Sequence, residues 1–228
     1  MLAPSPLSCS HQFLAAQPWF AQLDARLQAQ VADGVLVSSG RKGDTLLRAG
    51  EPVAGWYAVL SGLAKLQSES AQGRLSVFLG ARAGDWFGEG SALKTEPRRY
   101  DVVALRDTQL LCLPRAMFDE LRHASLPFSQ FLVERLNLRL GQAMAMIEAE
   151  RIRSPEQRVA LYLGPLFWPG QRRLSFSQEE LAQLVGLSRQ TVNGVLKSLE
   201  RRGLVSLEFG RIGIRNEADL AALAAQDA

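Results

Sequence analysis

Arg189, Gln190, Asn193 and Lys197 follow one another at steps of one, three and four residues, which gathers them on one face of a helix. The chemistry these side chains share is hydrogen bonding to duplex DNA. Arg189 can donate two hydrogen bonds to guanine O6 and N7; Gln190 can pair with adenine N6 and N7 or contact a phosphate. Ser188, Thr191 and Lys197 suit contacts that fix register on the sugar-phosphate backbone. Arg211, beside Phe209-Gly210, can reach a further phosphate.

Those side chains need a frame, and the stretch 177–202, SQEELAQLVGLSRQTVNGVLKSLERR, supplies one. Ser177 followed three residues later by Glu180 is a capping box that starts a helix; Ser177 and Gln178 in that start join the expected DNA contacts. Leu181, Leu184 and Val185 form its buried face, and Ala182 is small where two helices cross. Gly186 permits a turn with positive φ, Leu187 plugs the space beneath it, and Ser188 caps the next helix. That helix hides Val192, Val195, Leu196 and Leu199 and leaves the polar set outward. The spacing is that of a helix-turn-helix. A bare helical hairpin would share the apolar pattern, but the outward polar face favours a reading helix in the major groove. Leu204–Leu207 and Arg211–Ile214 read as two strands of a wing joined at Phe209-Gly210.

Other chemistries lack their residues. Two cysteines, Cys9 and Cys112, cannot supply a four-thiolate iron–sulfur cluster within one chain. Two distant histidines, His11 and His123, form no HxH or HExxH metal pair. No nucleophile elbow and no phosphate loop ending in Gly-Lys-Ser/Thr is present. We expect no enzyme, no catalytic residue and no metal. No apolar run reaches ~18 residues, so no membrane span is expected, and the start, Met1-Leu2-Ala3-Pro4-Ser5-Pro6, does not read as a signal peptide. The expected location is the cytoplasm. Residues 1–150 balance 15 Lys/Arg against 15 Asp/Glu, whereas residues 151–228 carry 11 against 8. The whole excess of +3 therefore sits in the last third, as a polyanion partner would require.

Along the chain, residues 18–32 read as a short amphipathic helix through Phe20, Leu23, Leu27 and Val31. From Val35 to Leu113, β-favouring runs (VLVS, TLLR, WYAVL, LAKLQ, RLSVFLG, DVVAL, QLLCL) alternate with glycine turns, including Gln72-Gly73, which implies a sandwich or barrel. Residues 114–123 read as a short helix with proline in its first turn. A long helix then runs from Leu126 to about Arg153. Its seam of Phe128, Leu132, Leu136, Leu140 or Arg139, Ala143 and Ile147 suits a dimer coiled coil, or packing onto the chain's own barrel. Ser154-Pro155 breaks it. The expected domains are residues 1–124, 125–153 and 154–228.

With the helix-turn-helix in place, the run Gly43-Asp44, Gly50-Glu51-Pro52, Trp56-Tyr57-Ala58-Val59-Leu60-Ser61-Gly62 and Gly84-Asp85-Trp86-Phe87-Gly88-Glu89 resembles the cyclic AMP receptor protein/FNR (CRP/FNR) family of transcription regulators. The resemblance covers about residues 19–220. It implies an α+β architecture: an N-terminal cyclic-nucleotide-binding-like β-barrel (double-stranded β-helix or jelly roll), a long dimerisation helix and a C-terminal winged helix-turn-helix. It also implies a homodimer through the long helix, double-stranded DNA and RNA polymerase as partners, and effector control from the barrel.

In cyclic-nucleotide-binding relatives a Gly-Glu segment and a downstream Arg-Ser/Thr-Ala cradle the ligand. Here Gly88, Glu89, Gly90 and Ser91 fall in the first part, and Arg98, Arg99 and Tyr100 in the second, with Arg99 ten residues after Glu89 at the arginine position. Tyr100 and Asp101 replace the small hydroxyl residue and the alanine. At ~4 Å and an effective dielectric of ~20, repulsion between Asp101 and an anion is ~4 kcal/mol. Adenine-contacting hydroxyls of the cyclic AMP receptor align near Ala143 and Met144. In the reading helix Gln190 and Gly194 replace a glutamate and a second arginine, so the operator should differ. Three possibilities stay open for the cradle: cyclic AMP, another small anion or nucleotide, and an internal Arg99–Asp101 salt bridge.

Overall fold

The computed structural model describes residues 6–225 apart from residues 71, 73, 74, 95 and 153; the expected turn residue Gly73, the helix end at Arg153 and the side chain of Cys9 lie outside the described residues. The chain packs as two units, one through Leu136 and one from Asn137 onward.

The first unit begins with helices α1 (Pro6–Ala15) and α2 (Ala25–Gly34), with a 3-10 turn at Phe20–Gln22 between them. The single amphipathic helix expected over 18–32 is thus split. Asp24 accepts the Leu27 N–H at 2.8 Å and starts α2 afresh. Eight strands follow: β1 (Leu36–Gly40), β2 (Thr45–Leu47), β3 (Gly55–Ser61), β4 (Leu63–Glu69), β5 (Leu75–Arg82), β6 (Trp86–Phe87), β7 (Asp101–Ala104) and β8 (Thr108–Pro114). The short helix α3 (Glu89–Lys94) lies between β6 and β7. Helix α4 (Arg115–Ala124) leads into α5 (Leu126–Ile152). All seven apolar runs became strands; β6, two residues long, is too short to leave a periodic signal.

The strands form two antiparallel sheets, ordered β1-β8-β3-β6 and β2-β7-β4-β5. These do not close into a barrel, so the expected barrel is an open jelly-roll sandwich. The chain changes sheet between β3 and β4 at Gly62, whose φ is +97°. A Cβ there would stand 2.4 Å from the Asp107 carbonyl oxygen, so only glycine fits.

Strand alternation then sorts two cores. Tyr57 and Val59 on β3, with Leu110 and Cys112 on β8, face the second sheet. Trp56 and Ala58, with Leu111 and Leu113, face the helices. Trp56 stacks on Trp86 at 4.1 Å between ring centroids, and Phe118 and Phe128 meet Trp56 edge-on.

Helix α5 divides the expected seam. Phe128 and Leu132 are buried in that aromatic core and Leu136 packs against it, so this part of the seam serves its own unit. Leu126, Val133, Leu140, Met144 and Ile147 are the large apolar side chains left exposed on the helix. With exposed Gln130 and Asn137 they alternate strictly by four and three, the heptad pattern of a coiled-coil face.

The second unit adds α6 (Pro155–Leu163), β9 (Arg173–Leu174), α7 (Gln178–Val185), α8 (Arg189–Arg201), β10 (Val205–Glu208), β11 (Arg211–Ile214) and α9 (Glu217–Ala224). Ser154 and Gln157 form a capping box with Pro155 in the first turn, which starts α6. The wing has three strands, ordered β10-β11-β9, not two. Strand β9 has only two residues and pairs through Leu174 and Ile212.

Candidate nucleic-acid interface and effector pocket

The reading helix is held by the contacts its sequence foreshadows. Ser177 Oγ accepts the Glu180 N–H at 3.2 Å, and the Glu180 carboxylate accepts the Ser177 N–H at 2.6 Å. Gly186 closes α7 in the left-handed region at φ +67°. Ser188 Oγ accepts the Thr191 N–H at 3.0 Å, capping α8, and lies 2.8 Å from the Thr191 hydroxyl. Val192, Leu196 and Leu199 are fully buried. Two carboxylates anchor the helix to its neighbours. Glu200 accepts the Leu207 N–H of the wing at 2.8 Å, and Glu156 of α6 accepts from Ser198 and Arg202.

This frame leaves Arg189, Gln190 and Lys197 exposed, with Asn193 and Thr191 half-buried on the same helix and Ser177 and Gln178 half-buried at the start of α7. Arg211 is exposed on β11 beside the Phe209-Gly210 turn. Phe209 itself stands wholly in solvent at the wing tip, a feature the strand pattern did not single out.

The expected effector cradle is rearranged. Gly88, at φ +91°, ends β6, and its carbonyl accepts the Ala92 N–H at 3.0 Å to begin α3. Glu89 and Ser91 are buried, and Gly90 is exposed. Arg99, given the anion position by spacing, is exposed and pairs with Glu96 at 2.7 Å. The Arg99–Asp101 pair does not form; Asp101 accepts the Ala49 N–H at 2.7 Å.

Arg98 takes the inward place because its backbone is clamped on both sides. Its N–H donates to the Glu51 carbonyl at 3.0 Å and its carbonyl accepts the Gly50 N–H at 2.8 Å. The guanidinium, 3% exposed, lies 5.0 Å over the Tyr57 ring. Its Nε and Nη1 have no hydrogen-bond partner. A Cβ at Gly88 would stand 3.7 Å from Arg98 Nη1 and 3.9 Å from both the Tyr100 hydroxyl and the Tyr57 ring, so these groups close around one point. Burial pushes the Tyr57 hydroxyl up to about 12, helped by its hydrogen bond to Cys112 and opposed by the Arg98 charge. Burial likewise raises the Cys112 thiol.

Sequence reasoning missed Tyr57 and Cys112. Their signal was available in the period-2 alternation, which sets Tyr57 with Val59 and Cys112 with Leu110 on the inter-sheet side. Among the described residues no group of three or more His, Cys, Asp or Glu could hold a metal ion. Among them, too, no helix is long and apolar enough to cross a membrane.

The comparisons with known proteins agree with this geometry. Residues 38–125 match the cyclic nucleotide-binding domain, and residues 157–223 the Crp-like helix-turn-helix domain. The chain is 32% identical over 169 residues to the cyclic AMP receptor protein of Thermus thermophilus, covering 74% of this chain and 78% of the relative. The chain belongs to the CRP/FNR family of transcription regulators. A CRP-like cAMP-activated global transcriptional regulator of Mycobacterium tuberculosis is 30% identical over 191 residues, covering 79% of this chain and 84% of the relative. In fold, this family member is similar to FixK2 of Bradyrhizobium japonicum, with a TM-score of 0.71 at 22% identity over 85% of this chain and 99% of that one. It is a DNA-binding regulator with a cyclic-nucleotide-binding-like domain.

Proposed function

We propose that the protein acts in the cytoplasm as a homodimer that reads an inverted-repeat operator and is switched by a small anionic effector held in the N-terminal sandwich. It is not an enzyme on this reading. Its functional parts are the effector domain (residues 1–124), the dimerising helix (125–153) and the DNA-binding domain (154–228). The observation that carries the proposal is the separation on α8 between a fully buried apolar face and the exposed Arg189, Gln190 and Lys197. Arg189 reads guanine, with Gln190 and Asn193 reading its neighbours. Ser177, Gln178, Ser188, Thr191, Lys197 and Arg211 fix register on phosphates. The exposed heptad face of α5 pairs with its copy. Asn137 at a core position of that seam would set register and strand number. Two reading helices then meet half-sites about one helical turn apart, roughly 34 Å. An effector that binds two orientations of the dimer unequally shifts their populations and so the affinity for DNA. RNA polymerase is the downstream partner.

Fluorescence anisotropy on a panel of inverted-repeat duplexes at several salt concentrations tests this. Wild type should prefer one repeat and lose affinity steeply with salt. Arg189→Ala should lose ~1–3 kcal/mol of base discrimination. Leu140→Asp should sediment as a monomer and lose ~100-fold or more in operator affinity, since linked half-sites owe that much to avidity. A salt-insensitive protein, or a monomer that binds the operator as well as wild type, would overturn the reading.

A further inference from the structure

The wing of the second unit ends in a two-residue turn. Glu208 pairs in register with Arg211, so Phe209 and Gly210 form the tip, with Gly210 at φ +67°. Phe209 is fully exposed. Single exposed apolar residues are common on protein surfaces, so the place of this one decides its meaning. The wing is tied to α8 by Glu200, whose carboxylate accepts the Leu207 N–H at 2.8 Å. At about 100° per residue, Glu200 projects in the same sector of the helix as Arg189, Asn193 and Lys197. The wing therefore leaves α8 from the far end of the reading stripe. Phe209, two residues past Leu207, lies within about 7 Å of that anchor.

The face of the wing beside the tip is basic. Strand alternation turns Val205, Leu207, Ile212 and Ile214 inward and leaves Ser206, Glu208, Arg211 and Gly213 on the outer side. Arg173 of β9 is exposed, pairs in register with Gly213 and shares that outer face. Arg173 and Arg211 are thus diagonal neighbours, about 7–8 Å apart, a spacing that suits successive phosphates of one strand. The position between them, Gly213, carries no side chain. Among the described residues of this face Glu208 is the one acid. An aromatic ring in water beside two guanidinium groups matches the border of a DNA groove, where phosphates line the ridge and apolar sugar and base edges lie below it. With α8 in the major groove, the groove across the adjoining phosphate strand is the minor one.

Resting on the DNA-binding reading above, we propose that Phe209 enters the minor groove beside each half-site as an apolar wedge, while Arg211 and Arg173 hold phosphates of the intervening strand. The contact adds a preference at base pairs that α8 does not touch. The guanine N2 amino group stands in the minor groove and A·T pairs lack it, so a wedge there favours A·T flanks.

Fluorescence anisotropy with operator duplexes whose flanking base pairs are A·T, G·C or inosine·C tests this. Inosine lacks the N2 amino group yet keeps O6 and N7, so its major-groove face towards an arginine is unaltered. Wild type should bind A·T and inosine·C flanks alike and G·C flanks roughly tenfold more weakly. Phe209→Ser should lose that flank preference and roughly tenfold in affinity. Its Tm should match wild type, because the side chain stands wholly in solvent. Arg173→Gln should lower the salt slope by about one. Glu208→Gln should raise affinity for every duplex about twofold. Wild-type affinity and flank preference in Phe209→Ser would overturn the proposal. So would a Phe209→Ser protein that binds operator normally but no longer acts on transcription with purified RNA polymerase, since the tip would then meet protein. Either result leaves the DNA-binding reading standing wherever Arg189→Ala still loses base discrimination. A wild type that prefers no inverted repeat would remove both.

Discussion

Helix α8 and the Arg98 cluster place their polar side chains in opposite ways. On α8 the polar side chains face water and the apolar ones do the holding, so each residue has one task. In the sandwich, Arg98 and Glu89 are themselves buried, so a group that would bind also has to be packed. Function and stability should therefore come apart in the second unit and coincide in the first.

The largest effect tests the first half of that contrast. Leu196 is fully buried under α8, and Leu196→Ala should cost about 2–5 kcal/mol of stability. Arg189→Ala, a few residues away on the exposed face, should stay within about 0.5 kcal/mol of wild type while losing operator discrimination. Urea denaturation of both variants, beside their operator affinities, gives the answer. If Arg189→Ala is destabilised like a core variant, its side chain is not an exposed reader.

A smaller effect sharpens the same contrast at the frame. Ser177→Ala removes the acceptor for the Glu180 N–H and one half of the capping box. It should lower the stability of the second unit by about 1 kcal/mol. Base preference should stay unchanged, because the side chains that choose bases lie on the next helix. A change of preferred sequence would mean that Ser177 reads a base itself.

The same division explains what could be seen in the sequence. The helix-turn-helix was legible because each of its determinants is local. A cap acts three residues away, a glycine at its own φ, and an apolar face repeats every third or fourth residue. The seven longer strands were legible for the same reason. The inward turn of Arg98 was not, because its geometry depends on long-range clamps. Counting ten residues from Glu89 selects Arg99, but the Gly50–Glu51 turn holds the backbone of Arg98 and turns that side chain inward. The seam of α5 was legible only in part for a related reason. Two stripes run along α5, offset by one residue at Leu132 and Val133. Only the tertiary packing tells which of them the chain keeps for its own core.

The smallest effect lies in the sandwich and is spectroscopic. Of the three tyrosines, Tyr57 is pushed up to about 12 by its burial. A tyrosine whose folded value is raised adds stability that is fully present below its unfolded value of about 10 and is lost as pH rises through about 12. Alkaline unfolding of the first unit should therefore begin in that window, and an absorbance titration should show Tyr57 ionising late. Tyr57→Phe should remove the late step. The Arg98 charge opposes the burial effect, so screening it must raise the step further. Arg98→Met should therefore delay Tyr57 ionisation relative to wild type. If the late step ignores Arg98, the tyrosine and the guanidinium do not meet in solution.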